Sequence, residues 1–463
     1  VDEPNALTSP ATFCRLLKSP SRLLLVFAAL SGCLSPPPIT SPAPDAFAQL
    51  TKSVAEWREL PLTRTLRVEI RPAQASKIPS QLAPTEYYGA VPIPQIEWVY
   101  KSIGLLSNDV DLTTALAEYE KILQLFSYDR AKGVIAISSD VGRLGTPYEK
   151  INPATAEELP AVIAMAHALQ EQRFGWRERI DSAMFEDHRA ALRAVGAGDA
   201  LFTAVSRAAR PDNRKLSAAQ VRSMLQVAVE IDKLAARLPE FLRELVSFPY
   251  RDGSQYVNWA FAANGWPGVN GLYANPPSTT AQVLHPRKYF IQREQPLRFF
   301  PAAVLRRFNN RPIVEQSLGE LLIRALLRSR HAPNYTAETA SAWRGDQLFS
   351  FQNDALLNIF WFSSWHDETS AGEFLESYRK VLESRQGVRF ETLRQPNFHT
   401  LIATQQDGRA WLLQARGPNV LALQAASADR LTELGEEAWR DLEIEPETSA
   451  VRFESARRPV NFH

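Results

Sequence analysis

Apolar residues recur at helical spacing over 45–58 and again over 111–126 (DLTTALAEYEKILQLF), and each stretch predicts an amphipathic helix. Thr63–Arg71 alternates as a strand does, and Gly133–Ser139 (GVIAISS) reads as a short apolar strand. A helix follows, with Thr155 and Glu158 in capping-box spacing and Pro160 close behind, so its onset is expected at 156–160. Helical patterns also cover 178–208, 217–246, 254–264, 316–329 and 368–384, with Ser217 as a start signal and Gly265 as a stop. From residue 388 the pattern alternates instead: 388–393, 399–404, 410–415 and 420–425 predict strands. Asp407-Gly408 and Gly417-Pro418-Asn419 supply their turns, and a helix at 427–440 closes this meander. The expected fold class is α+β: a mainly helical core with a small antiparallel β meander near the C-terminus.

The N-terminus has a different texture. Arg15, Lys18 and Arg22 precede the apolar run Leu23–Leu30, and Leu-Ser-Gly-Cys follows at 30–33. That order matches a secretory signal, and the run is far shorter than the roughly 20 residues a membrane span needs. The tetrapeptide resembles a bacterial lipobox, which makes Cys33 the expected lipid-anchor residue and the membrane an expected partner. Prolines crowd 36–44, a composition suited to an extended tether. The expected segments are a signal peptide at 1–32, a tether at 33–50, a main domain at 51–385, and the meander with its helix at 386–463. Removing 1–32 leaves 49 basic and 49 acidic side chains, and no basic stripe marks a nucleic-acid surface. Cys14 and Cys33 are the only cysteines, so a chain cut before Cys33 and lipidated there keeps no free thiol for a disulfide or a thiolate metal site.

The stretch 162–172, VIAMAHALQEQ, resembles the HELTHALQDQ helix of a family of bacterial envelope proteins related to HExxH (gluzincin-type) metallopeptidases. In such a helix two histidines one turn apart grip zinc, and the glutamate after the first serves as general base. His167 matches the second histidine, Ile163 stands at the first and Ala164 at the glutamate. The family's EGDA segment, whose glutamate is the third ligand, reads AGDA here, with Ala197 in its place before Asp199. FPYRDG (248–253), NGWPGV (264–269), PPSTTAQVLHPRKY (276–289) and AWRGD (342–346) are similar to further blocks of that family. In the third of these Ala281 replaces the usual glutamate. The resemblance spans roughly 130–380 and implies a gluzincin-like core stripped of its zinc ligands and base, a pseudo-peptidase with no cofactor.

Candidate chemistry is accordingly sparse. No two of the seven histidines lie three or four residues apart, so no helical metal pair exists. A remnant pocket is expected around His167, Asp199, Tyr250 and His285, without a catalytic residue. Asp199 and Asp252 read as loop or cap carboxylates, Asp346 as a turn residue, and His285 as a packing residue held extended by Pro286. The aromatic run Phe360–Glu368 (FWFSSWHDE) reads as core or strand packing. The function expected is a lipid-anchored lipoprotein of the bacterial envelope, in the outer membrane or at the cell surface if the host is Gram-negative. Its inactive domain binds, scaffolds or regulates an envelope partner. An active hydrolase using His167, Asp199 and His285 as an altered ligand set is the first alternative, and a solute-binding lipoprotein the second.

Overall fold

The computed structural model describes residues 44–71, 91–139, 141, 153–209, 216–331, 333–353, 356–395 and 398–447. Cys33 and the segments expected to be a signal and, up to residue 43, a tether lie outside them. The first helix, Pro44–Arg58, takes in the last residues expected for the tether. Strand β1 (Arg67–Arg71) runs parallel to β3 (Val134–Ser138), which pairs antiparallel with β2 (Phe126–Asp129), so among the described residues β2 is an edge. Helices Ile93–Ser102 and Leu112–Leu123 lie between β1 and β2 in sequence, and Asp111 caps the second through the Thr114 N–H.

Five helices form the centre. The helix bearing His167 runs Pro153–Phe174, so it starts before the expected capping box, and Thr155 lies inside it. The helix expected at 178–208 is two, Trp176–Asp181 and Glu186–Ala209. No local cap announces the second start, because its first N–H groups are satisfied at a distance: Glu186 N–H donates to Gln316 Oε1 at 3.0 Å. The pattern at 217–246 likewise divides, between Leu234 and Pro239, and Pro239 takes the N-cap position of the next helix. Ala218–Leu234 precedes it, under a capping box of Ser217 and Gln220, and Glu240–Ala274 follows. This last helix absorbs the FPYRDG segment and the helix expected at 254–264. It breaks at Asn264 and Gly265, whose φ of 61° and ψ of −152° suit glycine, and then resumes.

Short helices Thr280–Leu284 and Arg287–Phe290 lead to β4 (Leu297–Pro301), helix Ala302–Arg307 and β5 (Val314–Gln316). Helices Gly319–Arg328 and Pro333–Ser341 follow. A long hairpin of β6 (Trp343–Asn353) and β7 (Leu356–Trp365) comes next, then helix Glu368–Gln386. The meander is β8 (Glu391–Gln395), β9 (Phe398–Thr404), β10 (Ala410–Arg416) and β11 (Asn419–Ala425), and helix Leu431–Trp439 and β12 (Leu442–Pro446) close the described chain.

The protein is α+β and mainly helical, with its large antiparallel sheet toward the C-terminus. That sheet is larger than the small meander expected. Its order is β5-β6-β7-β11-β10-β9-β8, so β11 pairs with β7 and the sheet runs unbroken across the boundary expected at 385/386. Alternate residues of β7 explain the aromatic run: Ile359, Trp361 and Trp365 pack into the main core, while Phe360 and Phe362 enter a second core on the other face. Phe374 and Tyr378 of helix 368–386 cover the first face, and Leu431 and Leu434 cover the second. A strand buried on both faces loses the polar alternation that would reveal it. Among the described residues the buried core runs from Phe47 to Ala438, all of it within the compact unit of residues 39–463.

Candidate functional site: a cleft beside His167

The His167 helix runs through the protein centre and is buried almost all round. Ile163 is 0% exposed and Ala164 1%, both in the main core. Its neighbour, helix 186–209, is pinned against helix 240–274 by two glycines. A Cβ on Gly198 would lie 2.3 Å from the Gly253 carbonyl carbon, and one on Gly253 would lie 2.3 Å from Ala194 O. The glycines of AGDA and FPYRDG are thus one close helix crossing, a packing reason for both motifs.

Asp199 sits at that crossing, inside a helix and fully buried. It is not the loop or cap carboxylate expected. Arg58 grips it with both ends of its fork, Nε to Oδ1 at 2.8 Å and Nη2 to Oδ2 at 3.0 Å. Tyr273 OH (2.7 Å), Thr203 Oγ1 (3.1 Å) and Gln170 Nε2 (3.1 Å) also donate to it. The Arg58 guanidinium in turn lies 4.5 Å over the Trp266 ring and donates to Asn270 Oδ1, so NGWPGV helps to hold it.

His167 joins this network indirectly. The Gln170 amide NH2 donates to Gly196 O at 3.0 Å and to Asp199, which turns its oxygen toward His167 Nδ1 at 3.2 Å. That oxygen accepts the Nδ1 proton, which makes Nε2 the acceptor nitrogen of the neutral ring. Burial holds the imidazole pKa down at about 4, so His167 is neutral at physiological pH.

Beside His167 lies a cleft of about 260 Å³, walled by Leu125, Phe126, Trp176, Ala197, Ile231 and Tyr250. Burial pushes the Tyr250 phenol up. Of the expected pocket residues, the cleft gathers His167 and Tyr250. Asp199 lies behind Gln170, and His285 does not line it. His285 Nε2 meets the fully buried Glu320 Oε1 at 2.8 Å, consistent with a packing role. Asp252 stands within helix 240–274 and pairs with Arg251 at 2.8 Å, again neither loop nor cap. Asp346 is no turn residue: it lies in β6, fully buried, and accepts from the indoles of Trp343 and Trp361 and from the N–H groups of Leu318 and Gly319.

Residues 306–435 match a family model described as "Domain of unknown function (DUF8575)". No curated protein and no solved structure matches the chain. The matched stretch contains the whole seven-stranded sheet, from β5 to β11, together with Glu320 and Asp346. The His167 cleft lies outside it.

Zinc would not fit at the positions that the resemblance assigns. Ile163 and Ala164 offer no donor atom and are packed as core, and Ala197 is a cleft wall. Among the described residues, no three His, Cys, Asp or Glu side chains converge as a metal would require. Arg58 and Gln170 are the residues that sequence reasoning missed. Arg58 closes an amphipathic helix, and nothing local couples it to a carboxylate 141 positions away.

Proposed function

We propose that this protein is a lipid-anchored envelope lipoprotein whose metallopeptidase-like domain has no peptidase chemistry and holds a partner in the cleft beside His167. One observation carries the reading: His167 and Ala197, two of the three ligand positions that the resemblance assigns, line one cleft, while Ile163 at the third is sealed in core. The order of strand β3, His167 helix and Ala197 helix also supports it. The altered ligand set finds no support, since Asp199 is held by Arg58 and His285 by Glu320. At about 260 Å³ the cleft is smaller than the roughly 300–1,000 Å³ of pockets for whole drug-sized molecules. A protein segment inserting one or two side chains fits better than a solute, and the edge strand β2, whose Phe126, Ser127 and Tyr128 line the cleft, offers it backbone pairing.

Zinc analysis tests this reading. The purified full chain is expected to retain no stoichiometric zinc after dialysis against a weak chelator and to cleave no peptide; one retained equivalent overturns the reading. The variant Ile163→His/Ala164→Glu/Ala197→Glu is expected to gain melting temperature with zinc while the parent does not, since a ligand stabilises the state that binds it. Without metal that variant loses apolar burial worth about 1.5–3 kcal/mol at position 163.

The anchor has its own test. Cys33→Ser is expected to move the protein out of the lipid-modified membrane fraction, and globomycin to make the precursor accumulate. A variant that fractionates and incorporates labelled lipid like the parent would rule out Cys33 as the anchor.

A further inference from the structure

We infer that a rigid aromatic patch at Trp259, Phe290 and Ile291, ringed by cations, docks the protein body on an anionic lipid surface. Ile291 and Trp259 are the most exposed large apolar side chains among the described residues, at 66% and 47%. They come from different elements, helix 240–274 and the end of helix 287–290, and Phe290 joins them. Its ring lies parallel to Trp259 with centroids 6.3 Å apart, and 5.2 Å from the buried Tyr256 ring beneath. The patch is therefore built from below and stays exposed without being loose.

Charge surrounds it on one side of neutrality. Arg287 is exposed and has no carboxylate within ion-pair distance among the described residues. Arg293 lies 4.8 Å over the Tyr289 ring and donates to Pro276 O. Lys288 and Arg344 share one carboxylate, Glu294, at 3.6 and 4.0 Å. Among the described residues Glu294 is thus the one carboxylate within ion-pair distance of these four cations. Indole and phenyl rings beside the exposed Arg287 and the half-buried Lys288, Arg293 and Arg344 suit the headgroup region of a bilayer, where the rings enter the boundary and the cations meet anionic headgroups. A second copy of the same face would bring like charges together.

Chain length adds to this. Between Cys33 and Pro44 the chain spans about 40 Å at most, so a lipid on Cys33 would keep the body close to the bilayer. That clause rests on the anchor proposed above; the patch itself does not.

The test uses the compact unit of residues 39–463, which holds every core residue among the described residues and lacks Cys33, sedimented with vesicles at low ionic strength. Binding is expected to equimolar phosphatidylglycerol and phosphatidylcholine, and about tenfold less to phosphatidylcholine alone. Trp259→Ser/Ile291→Ser is expected to lower partitioning at least about tenfold. Arg287→Glu should lower it about fivefold or more, with unchanged circular dichroism in both variants. Wild-type protein indifferent to the anionic vesicles, or variants that bind as the parent does, would overturn the proposal. So would a dimer in sedimentation velocity that Trp259→Ser dissolves, which would give the patch to a second copy. Failure here leaves the Cys33 experiment untouched, and failure there leaves this binding intact.

Discussion

Arg58→Met is expected to cost about 3–5 kcal/mol of unfolding free energy, measured by chemical denaturation. The substitution leaves Asp199 charged and fully buried, with Tyr273, Thr203 and Gln170 as its remaining donors. Asp199→Asn is expected to cost a similar amount, because it strands a guanidinium that is 1% exposed and whose Nη1 already lacks a partner. The double variant Arg58→Met/Asp199→Asn should be more stable than the sum of the two losses predicts, since neither buried charge is left uncompensated. Strict additivity would mean that the two side chains act independently. The pair joins the first helix to the helix crossing at Gly198, so its loss should also loosen the cleft wall that Gln170 supports.

The second large effect is pH-dependent. Asp187→Asn is expected to stabilise the protein at pH 8 and to be nearly neutral at pH 4. Asp187 is 3% exposed, and its Oδ1 accepts from the Thr280 N–H at 3.0 Å and from the Thr280 hydroxyl. The carboxyl fits there because Gly319 (φ 67°) has no side chain; a Cβ would fall 1.8 Å from Oδ1. Burial, reinforced by the negative charge of Asp346, raises its pKa from 3.8 to about 7 against the opposing Thr280 bonds and Arg298. The folded state therefore holds a proton that the unfolded state gives up. Stability from this group is complete below pH 3.8 and is lost as pH rises to about 7, at roughly 1.4 kcal/mol per unit, or about 4 kcal/mol in all. Asparagine keeps the acceptor for Thr280 and carries no charge. The difference between variant and parent, followed across that range, should rise between pH 4 and 7 and then level off. A flat difference would mean that Asp187 titrates normally.

The kinds of elements were legible because their causes are local. Ser217, the expected start signal, caps its helix, and Asp407-Gly408 and Gly417-Pro418-Asn419 join antiparallel strands. Gly265 interrupts its helix, although the chain resumes a helix beyond it. Where elements were misjudged, distant partners replaced local signals. The start at Glu186 rests on Gln316, and the β6–β7 hairpin hides its alternation because both faces are buried.

The sequence by itself determined that Ile163, Ala164 and Ala197 bring no metal donor or base to their positions, because side-chain chemistry needs no fold to be read. It also determined the helical and alternating periods that make this an α+β chain. The tertiary structure alone decided which charges meet: Arg58 with Asp199, His285 with Glu320, and Asp346 with two indoles. It alone merged the meander with the β6–β7 hairpin into one sheet and separated the cleft at His167 and Tyr250 from Asp199 and His285. Periodicity records which face of an element is apolar but not which other face it meets. Pairing across a hundred or more residues is settled by shape and charge that become adjacent only once the chain has folded.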